Sequence, residues 1–144
     1  MKETKVKNIY PADPSSECGR PLYDARVSAG FPSPAEDYLE GQLDLNKHLI
    51  AQPAATYFVR VTGDSMIDAG IHSGDLLIVD RSAEPKDKDV VIANLDGELT
   101  VKRIRLSRGQ ITLMPENKNY RPQTLRPDMQ LEIWGVVKHV IHSF

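Results

Sequence analysis

Val90-Val91-Ile92-Ala93-Asn94-Leu95-Asp96-Gly97-Glu98-Leu99-Thr100-Val101-Lys102-Arg103-Ile104-Arg105-Leu106 is the stretch that decides how this chain folds. Two runs rich in β-branched and apolar residues flank Asp96-Gly97, a dipeptide that tolerates the positive φ angles of a two-residue reverse turn. The stretch therefore reads as an antiparallel hairpin. The same texture continues on both sides of it, in Tyr57 to Val61, Leu76 to Val79, Ile111 to Met114 and Leu131 to Ile141. Few of the intervening segments are long enough to form helical crossovers between parallel strands. The expectation is a mainly β fold of curved, largely antiparallel sheets with short helices and an extended N-terminal arm.

Proline placement marks off that arm. Five of the ten prolines fall within the first 34 residues, and no helical or strand period persists before Gly30. Each proline removes a backbone donor and holds its predecessor extended. Residues 1–29 are expected to form an arm that is at most weakly structured alone. Two helical signals follow. Ser33-Pro34-Ala35-Glu36 has a capping serine, a proline at the first helical position and a glutamate three residues after the cap, and Gly41 is expected to stop that helix. Asp44 to Ile50 reads as another turn or two before Pro53.

The chain has 144 residues, room for one domain. Its 18 basic and 20 acidic side chains give a net charge of −2, which speaks against direct nucleic-acid binding driven by dense Lys and Arg. No apolar run approaches the ~20 residues of a membrane span. Met1 to Tyr10 lacks the apolar stretch of a signal peptide. One cysteine, Cys18, rules out an internal disulfide framework and a multi-cysteine metal site. Asp68 and Asp75 read as turn and helix-end residues, since no further ligands cluster near them in the sequence. Neither a metal nor a cofactor is expected, and the composition suits a small soluble protein of the cytoplasm.

Gly63-Asp64-Ser65-Met66 interrupts the strand texture. A short helix from Ser65 to Gly70, capped by Asp64, would set Ser65 among unsatisfied N–H groups at the positive end of the dipole. Such surroundings suit the charge that develops on an attacked carbonyl. The same tetrapeptide also reads as a plain turn with a capping residue. A serine nucleophile needs a base. No spacing ties His48, His72, His139 or His142 to Ser65, so a Ser-His-Asp arrangement has no supporting motif. Lys102 shares a strand face with Thr100, Ile104 and Leu106. Burial there would disfavour the ammonium and lower its pKa from about 10.4, leaving an amine able to take the serine proton. The alternative is a strand lysine snorkelling to solvent. The residues alone suggest a Ser-Lys pair and leave the alternatives open.

Gly63-Asp64-Ser65-Met66, then Gly74-Asp75, then Thr100-Val101-Lys102-Arg103, resemble in this order the LexA-type self-cleaving serine peptidases. Gly30 to Ala35, Ala54 to Val59, Asp64 to Asp68, Gly74 to Asp80 and Trp134 to Val137 are similar to the UmuD type within that family. The resemblance runs from about Val27 to His142. It implies a LexA/UmuD-type β fold, with Ser65 as nucleophile and Lys102 as its general base. Backbone N–H groups around Asp64 to Met66 would stabilise the oxyanion.

The implied substrate is the chain's own Ala29-Gly30 bond. Cutting it would divide the protein into an arm, residues 1–29, and a Ser-Lys peptidase domain, residues 30–144. The arm is too short and too rich in proline for the helix-turn-helix head of a repressor. Signal peptidases carry a similar Gly-Asp-Ser-Met segment but are anchored in membranes. The resemblance further implies a homodimer whose cleavage is stimulated by a RecA filament on single-stranded DNA. The product, Gly30 to Phe144, would join a UmuC-like Y-family DNA polymerase for error-prone translesion synthesis in the SOS response. The competing readings are a binding module without catalysis and a LexA-type repressor fragment.

Overall fold

A computed structural model of the protein describes residues 2–23 and 39–144. The chain divides into two compact units, one comprising the residues up to Ala12 together with Gln52–Phe144, the other Asp13–Ala51. In the larger unit, the described residues form β1 (Lys5–Pro11), β4 (Thr56–Thr62), β5 (Leu76–Asp80), β6 (Val90–Leu95), β7 (Glu98–Ser107), β8 (Gln110–Met114), β9 (Gln123–Thr124) and β10 (Leu131–Ile141). The smaller unit contains β2 (Gly19–Tyr23), β3 (Leu39–Asp44) and the helix α1 (Leu45–Leu49).

The large sheet runs β1-β4-β5-β10-β6-β7-β8-β9, with every pairing antiparallel. β1 also pairs with β7 at Lys5 and Thr100, so the sheet curls back on itself and closes between β4 and β7. The mainly β, antiparallel expectation is met. The β6–β7 hairpin turns at Asp96 and Gly97, whose φ angles of 52° and 88° give the turn the twist its strands require. Arg108 and Gly109 make a second turn of the same hand, at 50° and 76°, between β7 and β8.

Two apolar clusters fill the larger unit. Val59, Val61, Met66, Ile71, Leu77, Val79, Ile92 and Val101 form one; Val91, Ala93, Ile104, Leu113 and Val136 form the other. With few aromatics available, β-branched side chains supply most of this packing. Trp134 is partly buried against the first cluster, meets Tyr57 edge-on and carries the Arg81 guanidinium 4.5 Å above its ring. Beside it, Gly135 sits where β10 shifts register between β6 partners, and a Cβ there would lie 2.5 Å from Val79 Cγ1.

The N-terminal part of the chain differs from the expectation. The compact units meet after Ala12 and after Ala51, and the expected cleavage boundary at residue 29 lies outside the described residues. Lys5–Pro11 is a strand of the large sheet, while Gly19–Tyr23 pairs with Leu39–Asp44 in the small one. The prolines keep the segment extended, and extension is what lets it enter a sheet. The helix expected from Ser33 to Gly41 does not reach its predicted end, because Leu39–Asp44 is strand with Gly41 inside it. Residues 33–38 of that helix lie outside the described residues. α1 is as the sequence predicts, with the Asp44 carboxylate accepting from Asn46 N at 3.0 Å.

Gly135→Ala tests the packing. The added methyl must push Val79 or bend β10, so it should destabilise the fold by about 1–3 kcal/mol in urea unfolding. A loss under about 0.5 kcal/mol, the scale of an innocuous surface change, would contradict this contact.

Candidate active site

β4 ends at Thr62, and Gly63 turns the chain with a φ of 101°. Ser65 follows, with no exposed surface. The helix expected from Ser65 to Gly70 is only a 3-10 turn, Ile67–Ala69, which Gly70 ends at a φ of 84°. Asp64 does not cap it. Its carboxylate instead accepts from the Tyr120 hydroxyl at 2.6 Å.

The loop after β8 holds this turn in place. Glu116 N donates to Ser65 O and Asp68 N donates to Glu116 O, both at 2.8 Å. Asn117 Nδ2 donates to Asp64 O at 2.9 Å, and Arg103 of β7 is paired with the Glu116 carboxylate. Ser65 is thus fixed by backbone bonds on both sides. Glu116, Asn117 and Tyr120 are positioning residues that a sequence reading misses, because Met114-Pro115-Glu116-Asn117-Lys118-Asn119-Tyr120 has the composition of an ordinary polar loop.

Lys102 lies at mid-strand in β7 and is 3% exposed. Thr100 and Ile104, which share its face, are buried with it, while Leu106 at the strand end is exposed. The burial expected of Lys102 is observed and the snorkelling alternative is not, although Val101 on the opposite face is buried as well, so the strand is enclosed on both faces there.

Ser65 and Lys102 come from distant parts of the sequence and meet the same short segment, Lys2 to Thr4. Thr4 N donates to Ser65 Oγ at 2.8 Å. Glu3 pairs with the Lys102 ammonium. Val101 N donates to Thr4 O at 3.1 Å, and Asp64 N donates to Lys2 O at 2.9 Å. The site is therefore a slot between the end of β4 and the middle of β7, with the serine on one wall and the lysine on the other. Of the backbone groups expected to serve an oxyanion, Asp64 N already binds a carbonyl oxygen. Ala29 and Gly30, the expected cleavage bond, lie outside the described residues.

His72, Asp75 and His142 each bring one ligand atom within 4.8 Å of the others. The expectation that Asp75 has no ligand-type neighbours is therefore corrected; it failed because His142 comes from the other end of the chain. Asp75 also serves a turn, as expected: its carboxylate accepts from His72 N at 2.8 Å and lies 2.5 Å from His142 Nδ1, which ties down the C-terminal tail.

Comparison with known proteins places the site in context. Residues 21–138 match the family described as Peptidase S24-like. The chain is 52% identical over 141 residues to Protein ImpA of Salmonella typhimurium, a match covering 95% of this chain and 96% of that protein. It is 48% identical over 120 residues to Protein MucA of Escherichia coli, covering 83% and 82%. It is also 43% identical over 101 residues to LexA repressor 1 of Geobacter sulfurreducens, covering 70% of this chain and 49% of the repressor.

The Asp64–Tyr120 contact gives a pH test. The Tyr120 hydroxyl holds the Asp64 carboxyl below its ordinary value. Burial, with the Asp64 carboxylate beside it, pushes Tyr120 up to about 12. The tyrosine's share of stability is whole below pH 10.0 and is lost as pH rises through about 12. The aspartate's share is present above pH 3.8 and fades as pH falls through its lowered value. Tyrosinate absorbance should show one of the five tyrosines ionising late, near 12, and Tyr120→Phe should remove that step. Simultaneous ionisation of all five near 10 would contradict the contact.

Proposed function

The chain belongs to the S24-like peptidase family, and from that premise we propose that it is a self-cleaving serine endopeptidase of the SOS DNA-damage response. Ser65 is the nucleophile, Lys102 its base, and Ala29-Gly30 the bond cut. The observation that carries this reading is the convergence of a buried serine and a buried lysine on one extended peptide segment.

The chemistry follows from those groups. A neutral Lys102 amine takes the Ser65 proton as Oγ attacks the Ala29 carbonyl carbon. The oxyanion is met by backbone N–H groups of the fixed turn around Asp64 to Met66. Lys102 then returns the proton to the Gly30 amine as the peptide bond breaks. Water attacks the Ser65 acyl ester in turn, giving up a proton to Lys102, and releases residues 1–29. Small side chains at Ala29 and Gly30 let the buried serine reach the carbonyl. A buried base helps only while its partner carboxylate is elsewhere, because an ammonium paired with Glu3 has no free lone pair.

The matches to Protein ImpA and Protein MucA span most of both chains. The LexA repressor match spans about half of that protein, which favours the short-armed type over a repressor. On this reading the protein is a cytoplasmic homodimer. A RecA filament on single-stranded DNA stimulates its cleavage, and Gly30 to Phe144 joins a UmuC-like Y-family polymerase for translesion synthesis.

Intact mass tests the central step. Pure protein incubated with RecA, ATP and single-stranded DNA, or at alkaline pH, should split once, between Ala29 and Gly30. Ser65→Ala and Lys102→Ala should each lower the rate by at least ~100-fold with the fold retained. Cleavage at full rate in either variant would refute the assignment, and a folded wild-type chain left uncut in both conditions would favour a binding module.

A further inference from the structure

The slot that holds Ser65 and Lys102 is filled by the chain's own N-terminus. Lys2 to Thr4 place a carbonyl on Asp64 N, an amide on Ser65 Oγ, a carbonyl on Val101 N and a carboxylate on Lys102. Thr4 has no exposed surface. Gly63 makes the fit possible, since a Cβ there would fall 2.2 Å from Glu3 O and 2.8 Å from Thr4 Cα. Yet the arrangement is unproductive. Ser65 Oγ and Lys102 Nζ are each engaged by this segment, the first by the Thr4 N–H and the second by the Glu3 carboxylate.

The rest of the segment is lightly anchored. β1 pairs with β4 from Lys5 to Pro11, with its register broken between Val6 and Asn8. All of its residues except Val6 are exposed, Ile9 and Tyr10 included. Backbone bonds to β4, and to β7 at Lys5 alone, hold it, with Val6 its one partly buried apolar side chain, and segments with so little apolar burial open at low cost. At its head, the Thr4 hydroxyl is buried with no hydrogen-bond partner among the described residues. That hydroxyl loses its water without a return, which weakens the seat.

We propose that the slot between β4 and β7 is a single-occupancy site for an extended peptide strand, and that Lys2–Pro11 occupies it in the intact chain as a built-in competitor. The proposal rests on the peptidase reading and adds its regulation. The ligand class is an extended backbone that can offer carbonyls to Asp64 N and Val101 N, the recognition mode of strand addition. The segment containing Ala29-Gly30 reaches Ser65 only in the fraction of molecules whose N-terminus has left. Observed cleavage is slowed by that fraction, and a partner that draws residues 2–11 away speeds it.

Three variants separate this from the peptidase reading, with self-cleavage at alkaline pH followed by intact mass. Thr4→Pro removes the N–H donated to Ser65, and Glu3→Gln removes the charge held against Lys102; each should cut about 10-fold faster than wild type. Thr4→Val keeps the shape and removes the unpaired hydroxyl, so it should seat more firmly and cut more slowly. Folded Thr4→Pro and Glu3→Gln proteins that cut no faster would overturn the competitor and leave the peptidase standing. Hydrogen exchange reads occupancy without any cleavage: the Asp64 and Val101 amides should be protected in wild type and exchange faster in Thr4→Pro. Equal exchange in the two would overturn the proposal even in a chain that never cuts.

Discussion

The backbone of Lys2 to Thr4 crosses the turn at Gly63 so closely that no side chain fits between them. That approach aligns four polar contacts at once, on Asp64, Ser65, Val101 and Lys102. It needs a positive φ at Gly63, a strand ending there, and a second strand across the slot whose buried face carries the lysine. Remove the glycine and the extended segment cannot lie down; shift β7 by one residue and Lys102 turns to the opposite face. The chemistry of the site is set by this shared backbone geometry.

The closed sheet supplies the rigidity behind it. β4 carries the serine turn and β7 carries the lysine, and they are separated in the circuit by β5, β10 and β6. Val61, Met66 and Val101, close in sequence to Ser65 or Lys102, sit together in one apolar cluster, and Ile104 sits in the other. The loop from Glu116 to Tyr120 then clamps the turn through backbone bonds and one carboxylate–phenol contact. A buried lysine is costly unless it has a partner or loses its charge. Here Glu3 of the N-terminal segment supplies that partner.

Signals that repeat locally were legible in the sequence. Asp96-Gly97 marks the central hairpin, and the apolar run around Lys102 marks a strand buried on both faces, Val101 as fully as Lys102. Leu131–Ile141 and Val90–Leu95 are strands over the limits their composition suggests. What stayed hidden is held by partners distant in sequence. β1 is bound by backbone to β4 and β7 and exposes nearly every side chain, so it leaves no apolar period to detect. Leu39–Asp44 follows a helix-capping pattern but pairs with Gly19–Tyr23, and that pairing outweighs the local preference. The clamp of Glu116, Asn117 and Tyr120 grips the backbone at Asp64 and Ser65 and the Asp64 carboxylate, partners more than 50 residues away that no sequence pattern reveals.

The most direct measurement is the rate at which a fluorophosphonate modifies Ser65, located by peptide mass, in the wild-type, Thr4→Pro and Lys102→Met proteins. Ser65 should react slowly in the wild type, faster when the Thr4 donor is gone, and not measurably without the lysine. A Ser65 that stays unmodified in all three, or that reacts equally with and without Lys102, would contradict a lysine-activated serine beneath a displaceable strand.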